Sequence, residues 1–195
     1  MRHIGRLVNS LMIAFEFNVR KAVEAASRFL ELAGSPVEIV RLMKLMYLSE
    51  RKSLELYLQP IFGDAYYSLD HGPIVSRVYN LAKATPSGSA SQVALWSDHF
   101  EARGFNVVLR QRARAAALSR ADLAVIDEVH EQWKAVGTWE MVNRLHQELP
   151  EWTDPAGSAT PIGIEQLCTA LDLGKSEIQT VEEMVQLSSR LSPHA

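Results

Sequence analysis

"PVEIVRLMKLMYLSERKSLELYL", residues 36–58, is the stretch that predicts the fold of this chain. Its apolar residues point in several directions around a helix, and its polar residues form only a narrow stripe. A helix that is apolar over so much of its surface is usually central in a bundle. We therefore expect a central helix over 36–58, with the Lys44 stem buried and its ammonium group reaching outward.

The residues before this stretch predict how the central helix begins. Apolar residues recur with helical spacing over 19–33, and Gly34 fits the end of that helix. Ser35 then fits an N-cap, with Pro36 at the first helical position and Glu38 three residues after the cap. Serine at the cap with glutamate three residues later is a capping box, and proline is well tolerated at the first helical position.

The rest of the chain predicts a mainly α fold, a single compact helical domain with a small β-hairpin. Ser119 and Asp122 fit the start of a helix that runs to about Val136, and Thr138 fits the cap of a helix that ends near Leu149. The other predicted segments are a loop or short extended structure at 59–73, a helix at 74–84, a flexible turn at 85–91, a loop at 150–161 and short helices at 162–172 and 176–191.

The predicted hairpin involves "VALWSD", residues 93–98, and "GFNVVLRQR", residues 104–112. Phe105, Val107 and Leu109 alternate along the second segment, which is typical of a strand. We divide the chain into an N-terminal arm, residues 1–17, and one domain at 18–191. The apolar part of the arm is interrupted by polar residues and has no small-residue cleavage site, so an arm fits better than a signal peptide.

Composition limits the classes of protein that fit. The 195 residues suffice for one ordinary domain, and 47% hydrophobic with 22% charged residues is typical of a globular protein. No apolar run approaches the roughly 18 residues of a membrane helix. The single cysteine, Cys168, cannot form an internal disulfide, which fits a reducing compartment and a buried, inert thiol. We expect a cytoplasmic protein with no membrane partner.

Charge is divided unevenly along the chain. Residues 1–118 carry 15 Lys and Arg against 10 Asp and Glu, a net charge of +5. Residues 119–195 carry 5 against 13, a net charge of −8. Solvated helix faces explain this division, and so does a polar molecule with a basic face available for a partner.

The sequence lacks the common catalytic and metal-binding motifs. It has no Cys-x-x-Cys pair, no Gly-x-Ser-x-Gly and no phosphate-binding glycine loop. The nearest acid–base cluster, "RLHQE" at 144–148, places Arg144 and His146 about 200° apart on a helix, so they do not share a face. We therefore predict no enzyme activity, no metal and no cofactor. A hydrolase or nuclease that uses His71, His146 and nearby acids is one alternative.

Three arginines are the candidate nucleic-acid contacts. Arg110, Arg112 and Arg114 would share one side of the second hairpin strand if it extended that far, and there they could meet phosphates or an acidic partner. A solvated edge strand protected by its charge explains them equally well.

Two long stretches carry a resemblance to a known family. "LMKLMYLSERKSLELYLQPIFGDAYYSLDHGPIVSRVYN", residues 42–80, resembles the signature of the Panacea domain of SocA-like antitoxins and phage-associated proteins. The resembling residues in this stretch are Lys44, Leu45, Tyr47, Pro60, Ile61, Phe62, Gly72, Pro73, Ile74, Val78 and Tyr79. The later resembling residues are Thr138, Trp139, His146, Pro150 and Trp152. With the closing helices, the resemblance covers roughly residues 18–190.

The resemblance implies a mostly helical domain without enzymatic activity, the antitoxin of a type II toxin–antitoxin system, which binds a cognate protein toxin and holds it inactive. The expected structural residues of the family motif are Lys44, Tyr47, His71, Gly72, Pro73 and His146. We expect Pro73 in the first turn of a helix and the Gly-Pro turn packed near the central helix. We expect His71 to brace this loop by hydrogen bonding.

Tyrosine, tryptophan and arginine dominate protein–protein hot spots, which selects the candidate toxin-binding residues. These candidates are Tyr66, Tyr67, Arg77, Tyr79, Trp139 and Trp152. Alternatives remain open at this point: a DNA-binding autorepressor that contacts operator DNA, an adaptor that delivers the toxin to a protease, and assembly with a second copy of the chain.

Overall fold

The structure is a computed structural model that describes residues 15–83, 88–114 and 116–191, with the backbone alone for residues 189–191. The described chain is mainly α, with eight helices and six short strands. In chain order they are α1 Val19–Ala33, β1 Val37–Glu38, α2 Ile39–Tyr57, β2 Tyr66–Leu69, β3 Gly72–Val75, α3 Ser76–Ala82, α4 Ala90–His99, β4 Phe100–Arg103, β5 Asn106–Leu109, α5 Arg120–Trp133, α6 Thr138–Glu148, β6 Thr160–Ile162, α7 Ile164–Ala170 and α8 Lys175–Leu191.

Helix α2 lies at the centre of the domain, as its sequence predicts. It packs against α1, α3, α5, α6, α7 and strand β3. Its residues Leu42, Met43, Leu45 and Met46 are almost completely buried. Burial of each such side chain stabilises the fold by about 1.5–3 kcal/mol relative to exposure. The central helix therefore supplies the core against which the other elements pack.

The start of α2 differs from the prediction. Val37 and Glu38 form strand β1, which pairs with β5, and the helix begins at Ile39. Ser35 does not cap the helix, because its hydroxyl oxygen accepts a hydrogen bond from the Leu109 backbone N–H at 3.0 Å. The predicted capping box is therefore wrong: strand pairing occupies the segment that was expected to form the first helical turn.

Other helix boundaries follow the sequence signals closely. α1 ends before Gly34, which has a φ of 70° and donates its backbone N–H to carbonyls of the last helical turn. Ser119 and Asp122 form the predicted capping box of α5. The predicted Thr138 cap is wrong by one residue: Thr138 is the first residue of α6, and Gly137 occupies the N-cap position. The two closing helices correspond to α7 and α8.

Two three-stranded antiparallel sheets pack against α2 through β1 and β3. One has the strand order β1-β5-β4 and the other β3-β2-β6. The β4–β5 hairpin confirms the predicted hairpin, although residues 93–98 lie in α4 and the first strand is Phe100–Arg103. Strand β2 falls in the segment predicted as loop or short extended structure, whereas β3 runs into the predicted helix at 74–84 and β6 lies where the predicted loop at 150–161 meets the next helix. The pairing of these strands into the sheet β3-β2-β6 is thus the part of the fold that was not predicted.

Two predicted segments lie partly outside the described residues. Residues 1–14 of the predicted arm and residues 85–87 of the predicted turn are not described. In the described part of the arm, Phe15 and Phe17 pack against the core. The backbone N–H of Asn18 donates to the Phe62 carbonyl at 2.8 Å. The division of the chain at residue 17 stays a prediction.

None of the helices in the described ranges is both long and apolar enough to cross a membrane.

Candidate functional site

The turn between β2 and β3, residues 69–72, is where several of the predicted residues meet. Gly72 has a φ of +92°, a left-handed conformation that favours glycine. Gly72 and Pro73 belong to strand β3, and α3 begins only at Ser76. The prediction that Pro73 lies in the first turn of a helix is therefore wrong. The turn instead reverses the chain so that β3 pairs with β2.

Lys44 holds this turn against α2. Its side chain is buried, and Nζ donates a hydrogen bond to the Pro73 carbonyl oxygen at 2.8 Å. The predicted packing of the turn near the central helix is confirmed, but the predicted outward reach of the ammonium is wrong. Burial lowers the pKa of Lys44 to about 7, because the charged amine is poorly solvated in the core.

Two side chains limit the space beside Gly72. A Cβ atom at this position would lie 3.3 Å from Lys44 Nζ and 3.4 Å from His146 Nε2. His146 Nε2 is buried and has no hydrogen-bond partner in the described ranges. Burial lowers the pKa of His146, and the Lys44 charge acts in the same direction. The turn therefore sits against an amine and an imidazole whose pKa values are both lowered.

Replacing Gly72 by alanine tests this close packing. We expect the free energy of unfolding to fall by about 2 kcal/mol, because a left-handed backbone is strained for alanine and the new methyl group meets Lys44 and His146. Gly34→Ala is the matched control: Gly34 has a φ of +70° but nothing within 4 Å of its added Cβ. It should cost about 1 kcal/mol in urea denaturation. Equal losses for the two variants would show that the turn has room for a side chain.

Four ring side chains surround the turn: His71, Trp139, His146 and Trp152, which we call the turn cluster. Trp139 packs edge-on against His71, with ring centroids 5.1 Å apart. His146 stacks on Trp152, with centroids 3.9 Å apart and planes 8° from parallel. Trp152 Nε1 donates to the Leu69 carbonyl oxygen at 3.1 Å. Because Trp139 and His146 lie seven residues apart on α6, both face the turn from one side of that helix.

His71 makes a different contact from the predicted one. It is exposed, and its ring packs against Trp139. The hydrogen bonds that brace the turn come instead from Lys44, which donates to the Pro73 carbonyl, and from Trp152. His71 therefore contributes a ring to the surface and not a hydrogen bond to the loop.

Glu50 organises the loop that leads into β2. Its buried carboxylate accepts hydrogen bonds of 2.8–3.2 Å from the backbone N–H groups of Phe62, Gly63 and Asp64 and one of 2.9 Å from the Tyr66 hydroxyl. Burial raises the pKa of Glu50 to about 7, although these donors favour the charged form. One carboxylate thus fixes a whole loop to the central helix.

Asp64 extends this network to α3. Its carboxylate accepts from the backbone N–H groups of Ala65, Arg77 and Val78 at 2.6–3.0 Å. The last two donors belong to the first turn of α3, where a helix leaves its N–H groups without helical partners. Burial raises the pKa of Asp64 to about 6. Asp64 therefore fixes the start of the helix that carries Arg77 and Tyr79.

Glu151 ties the segment after α6 to the central helix. Its buried Oε1 accepts from the Tyr47 hydroxyl and from Arg51 Nε, both at 2.8 Å. The Tyr47 ring packs edge-on against Tyr66 at 5.7 Å between centroids, which joins this contact to the Glu50 network. Burial, and after it the neighbouring Glu151 charge, raise the pKa of Tyr47. Trp152 follows Glu151 directly, so the turn cluster rests on this anchor.

None of these three carboxylates was predicted from the sequence. Glu50 did carry a signal, because a helix that is apolar on most sides must also bury some of its polar residues. Asp64 and Glu151 lie outside helices and strands and carry no periodic signal. Their positions follow only from the tertiary pairing of the loops with α2.

Tyr66 and Tyr67 lie side by side in β2 but in different surroundings. Tyr66 is 6% exposed, and its hydroxyl is bound to Glu50, so it belongs to the core and presents no surface to a partner. Tyr67 is partly buried, in the central strand between Ile74 and Pro161. The placement of Tyr66 on a toxin-binding surface is therefore corrected.

The other four predicted toxin-binding residues form two groups. Trp139 and Trp152 belong to the turn cluster. Arg77 is exposed on α3, with its guanidinium carbon 5.4 Å from the centre of the Phe17 ring. Tyr79, on the same helix, is partly buried, and its ring lies 4.9 Å from Lys83 Nζ. Contact between these residues and a toxin stays a prediction.

The three candidate nucleic-acid arginines follow strand β5, which ends at Leu109, so they do not share one side of a strand. All three are exposed. Arg110 lies 3.7 Å from Glu101 and Arg112 3.5 Å from Glu31, which partly offsets their charge. This geometry lends less support to a phosphate-binding stripe than the alternation in the sequence did.

Metal-ligating and nucleophilic groups do not converge in the described ranges. Within them, His, Cys, Asp and Glu form no group of three or more that could hold a metal ion. Cys168 is buried, and burial raises the pKa of its thiol to about 11. The expected buried thiol is thus confirmed, and at neutral pH it lacks the thiolate that reacts as a nucleophile.

The turn cluster, in which His71 and Trp139 are exposed, thus rests on a buried polar network of the helical domain. The family model described as antitoxin SocA-like, Panacea domain matches residues 42–153, and the chain belongs to this family. The match begins within α2 and ends just after Trp152, so it contains the Lys44 contact, the three carboxylates and the turn cluster. A search of curated proteins and a search of solved structures found no match to the chain.

Proposed function

We propose that this protein is an antitoxin that binds a cognate protein toxin directly and keeps it inactive in the cytoplasm, without enzymatic chemistry of its own. The observation that carries the proposal is membership of the SocA-like antitoxin family over residues 42–153. The exposed rings of the turn cluster and the exposed Arg77 on α3 support it, because aromatic and arginine side chains provide most hot spots of protein interfaces.

The buried network explains how such a surface is held ready for binding. Glu50 and Asp64 fix the loop before β2 and the start of α3, and Glu151 fixes the segment that carries Trp152. A surface ordered before binding loses little conformational entropy when its partner arrives. A direct inhibitor benefits from this order, because a standard interface of about 1,600 Å² then retains more of its contact energy as affinity.

Co-expression with the product of the adjacent reading frame tests the function. We expect that product to stop growth when expressed alone, to be tolerated together with this protein, and to copurify with it. Toxin half-life, measured in the same cells, separates blocking from delivery to a protease: direct blocking leaves the half-life unchanged, whereas delivery shortens it. Growth arrest that persists in the presence of this protein would contradict an antitoxin role for this pair.

The residues of α3 give a first test of the surface. Arg77→Ala combined with Tyr79→Ala should weaken toxin binding about tenfold and reduce rescue, since both side chains reach the surface of a helix fixed by Asp64. Binding by isothermal titration calorimetry measures the affinity. The control is Tyr57→Ala with Arg120→Ala, two exposed residues of the same types on α2 and α5. Full rescue by a folded α3 variant would remove this helix from the interface.

A further inference from the structure

We propose that the turn cluster binds a positively charged side chain, arginine or lysine, of the partner protein, with the Trp139 indole as the face that receives the cation and Asp70 and Asp154 as flanking carboxylates. The inference rests on the proposed function and adds the chemistry of the toxin surface that is bound. The juxtaposition that carries it is an exposed tryptophan packed on His71, an exposed carboxylate on the adjacent residue Asp70, and a second one, Asp154, in the loop that is hydrogen-bonded to the turn.

Trp139 is placed to receive a cation. It is 57% exposed, although it packs edge-on against His71, so much of its indole meets solvent. Indole is the best of the aromatic side chains at binding a cation over its face. Its backbone lies on α6, a helix anchored to the core by the buried side chains of Met141 and Leu145. The indole is therefore presented by a fixed element and not by a loop.

The two carboxylates belong to the same turn region. Asp70 lies in the turn itself, next to His71, and its Oδ1 accepts from the Gly157 backbone N–H at 3.0 Å. Asp154 lies close enough to His146 for its charge to act on that ring. Its Oδ1 accepts from the Ala156 backbone N–H at 2.9 Å. Both aspartates are exposed.

Among the described residues, no cation pairs with these two carboxylates. In the described ranges, neither Asp70 nor Asp154 forms an ion pair with a lysine, arginine or histidine within 4.0 Å. Lys44, the nearest buried amine to the turn, is directed to the Pro73 carbonyl. The turn region therefore presents negative charge together with an aromatic face, and a cationic side chain is complementary to both.

A second exposed aromatic residue provides a control away from the turn cluster. Phe105 is 88% exposed in the connection between β4 and β5. Arg103, at the end of β4, is the nearest charged residue along the hairpin, and it pairs with Glu101 at 3.0 Å. Phe105 thus provides a control ring with greater exposure than Trp139 and a cation close to it in the chain.

The experiment measures the affinity of the full chain for the purified product of the adjacent reading frame. Trp139→Ala should weaken binding about tenfold or more, and Trp139→Phe, which keeps a poorer aromatic face, should weaken it less. Asp70→Asn with Asp154→Asn should weaken binding about fivefold at about 50 mM salt and much less at about 500 mM, because salt screens exposed charges. Asparagine retains Oδ1, so the bonds to Gly157 and Ala156 survive.

Phe105→Ala and Asp98→Asn, exposed residues on other elements, are the controls and should leave the affinity unchanged. Loss of binding in Trp139→Ala without any effect of the aspartate pair or of salt would overturn the cationic partner in favour of an apolar one. Wild-type binding that none of these variants changes would overturn the site and leave the antitoxin function standing. A wild-type chain that neither binds nor rescues would overturn the proposed function, and this inference with it.

Discussion

Replacing Glu50 by glutamine is expected to lower the free energy of unfolding by about 3 kcal/mol. The carboxylate accepts four hydrogen bonds, whereas the single carbonyl oxygen of glutamine accepts two. At least two buried donors therefore lose their acceptor, and each costs roughly 1–3 kcal/mol when left unsatisfied. Urea denaturation followed by circular dichroism measures the loss, at a pH above the Glu50 pKa of about 7, where the carboxylate is charged.

Glu55→Gln on the same helix is the matched control. Its side chain is partly exposed, and its carboxylate lies 3.5 Å from Lys52 Nζ. An exposed ion pair of this kind contributes about 0–1 kcal/mol, so the control should change stability little. If Glu50→Gln were as mild as Glu55→Gln, water or a rearranged loop would satisfy the donors, and the loop before β2 would not depend on this carboxylate.

The same substitution also tests how the fold supports the surface. Glu50 fixes the loop whose Asp64 in turn fixes the start of α3. Loosening the loop should therefore weaken the contribution of Arg77 and Tyr79 to toxin binding. The contribution of the turn cluster should change less, because that cluster rests on Glu151 and Lys44. Stability and binding can be separated by measuring affinity well below the denaturation midpoint.

The helices of this protein could be predicted because their signals are local. Gly34 and the pair of Ser119 and Asp122 mark helix ends through backbone chemistry that acts within a few residues. The central position of α2 followed from its apolar circumference. The start of α2 was mispredicted because Val37 and Glu38 pair with β5, a strand far away in the sequence. The residues around position 37 do not indicate that pairing.

The sheet at the site could not be predicted for the same reason. Its central strand β2 pairs with β6, more than 90 residues later, and only this pairing makes residues 66–69 a strand. The Gly-Pro dipeptide was interpreted as a helix start because proline is common there, whereas here it opens an edge strand, where proline is also tolerated. Once β2 is in place, alternation along the strand sends Tyr66 into the core and Tyr67 to the other face.

The rings of the candidate site were predicted better than its charges. Trp139 and Trp152, two candidate toxin-binding residues, and His146, an expected structural residue of the family motif, come together at the Gly-Pro turn. Asp70 and Asp154 were not predicted, because exposed aspartates in loops are common and become informative only when the fold places them around a turn that carries an exposed indole. Aromatic residues can be selected as candidates from their type alone. Exposed charges become candidates only when the fold shows which other residues lie near them.

Lys44 is the second residue from which we expect a large effect, and its effect depends on pH. Unfolded, the amine has its usual pKa of 10.5; folded, burial lowers the pKa to about 7. Between these values the unfolded chain binds a proton that the folded chain does not, so stability rises with pH across this window. As the pH is lowered, this stability is lost progressively from about 10.5, and the loss levels off below about 7. A group with such a shift contributes about 1.4 kcal/mol per pH unit.

Lys44→Met isolates this contribution. The free energy of unfolding of the wild type, minus that of Lys44→Met, should increase by about 3 kcal/mol from about pH 7 to about pH 9.5, since methionine cannot titrate while other groups act in both proteins. His146, the basic ring that also faces Gly72, has its pKa lowered and stays neutral across this window. Lys52→Met, at a partly exposed lysine of the same helix, should give a flat difference. A flat difference for Lys44→Met as well would show that the amine keeps its ordinary pKa, and that water reaches the space between α2 and the turn.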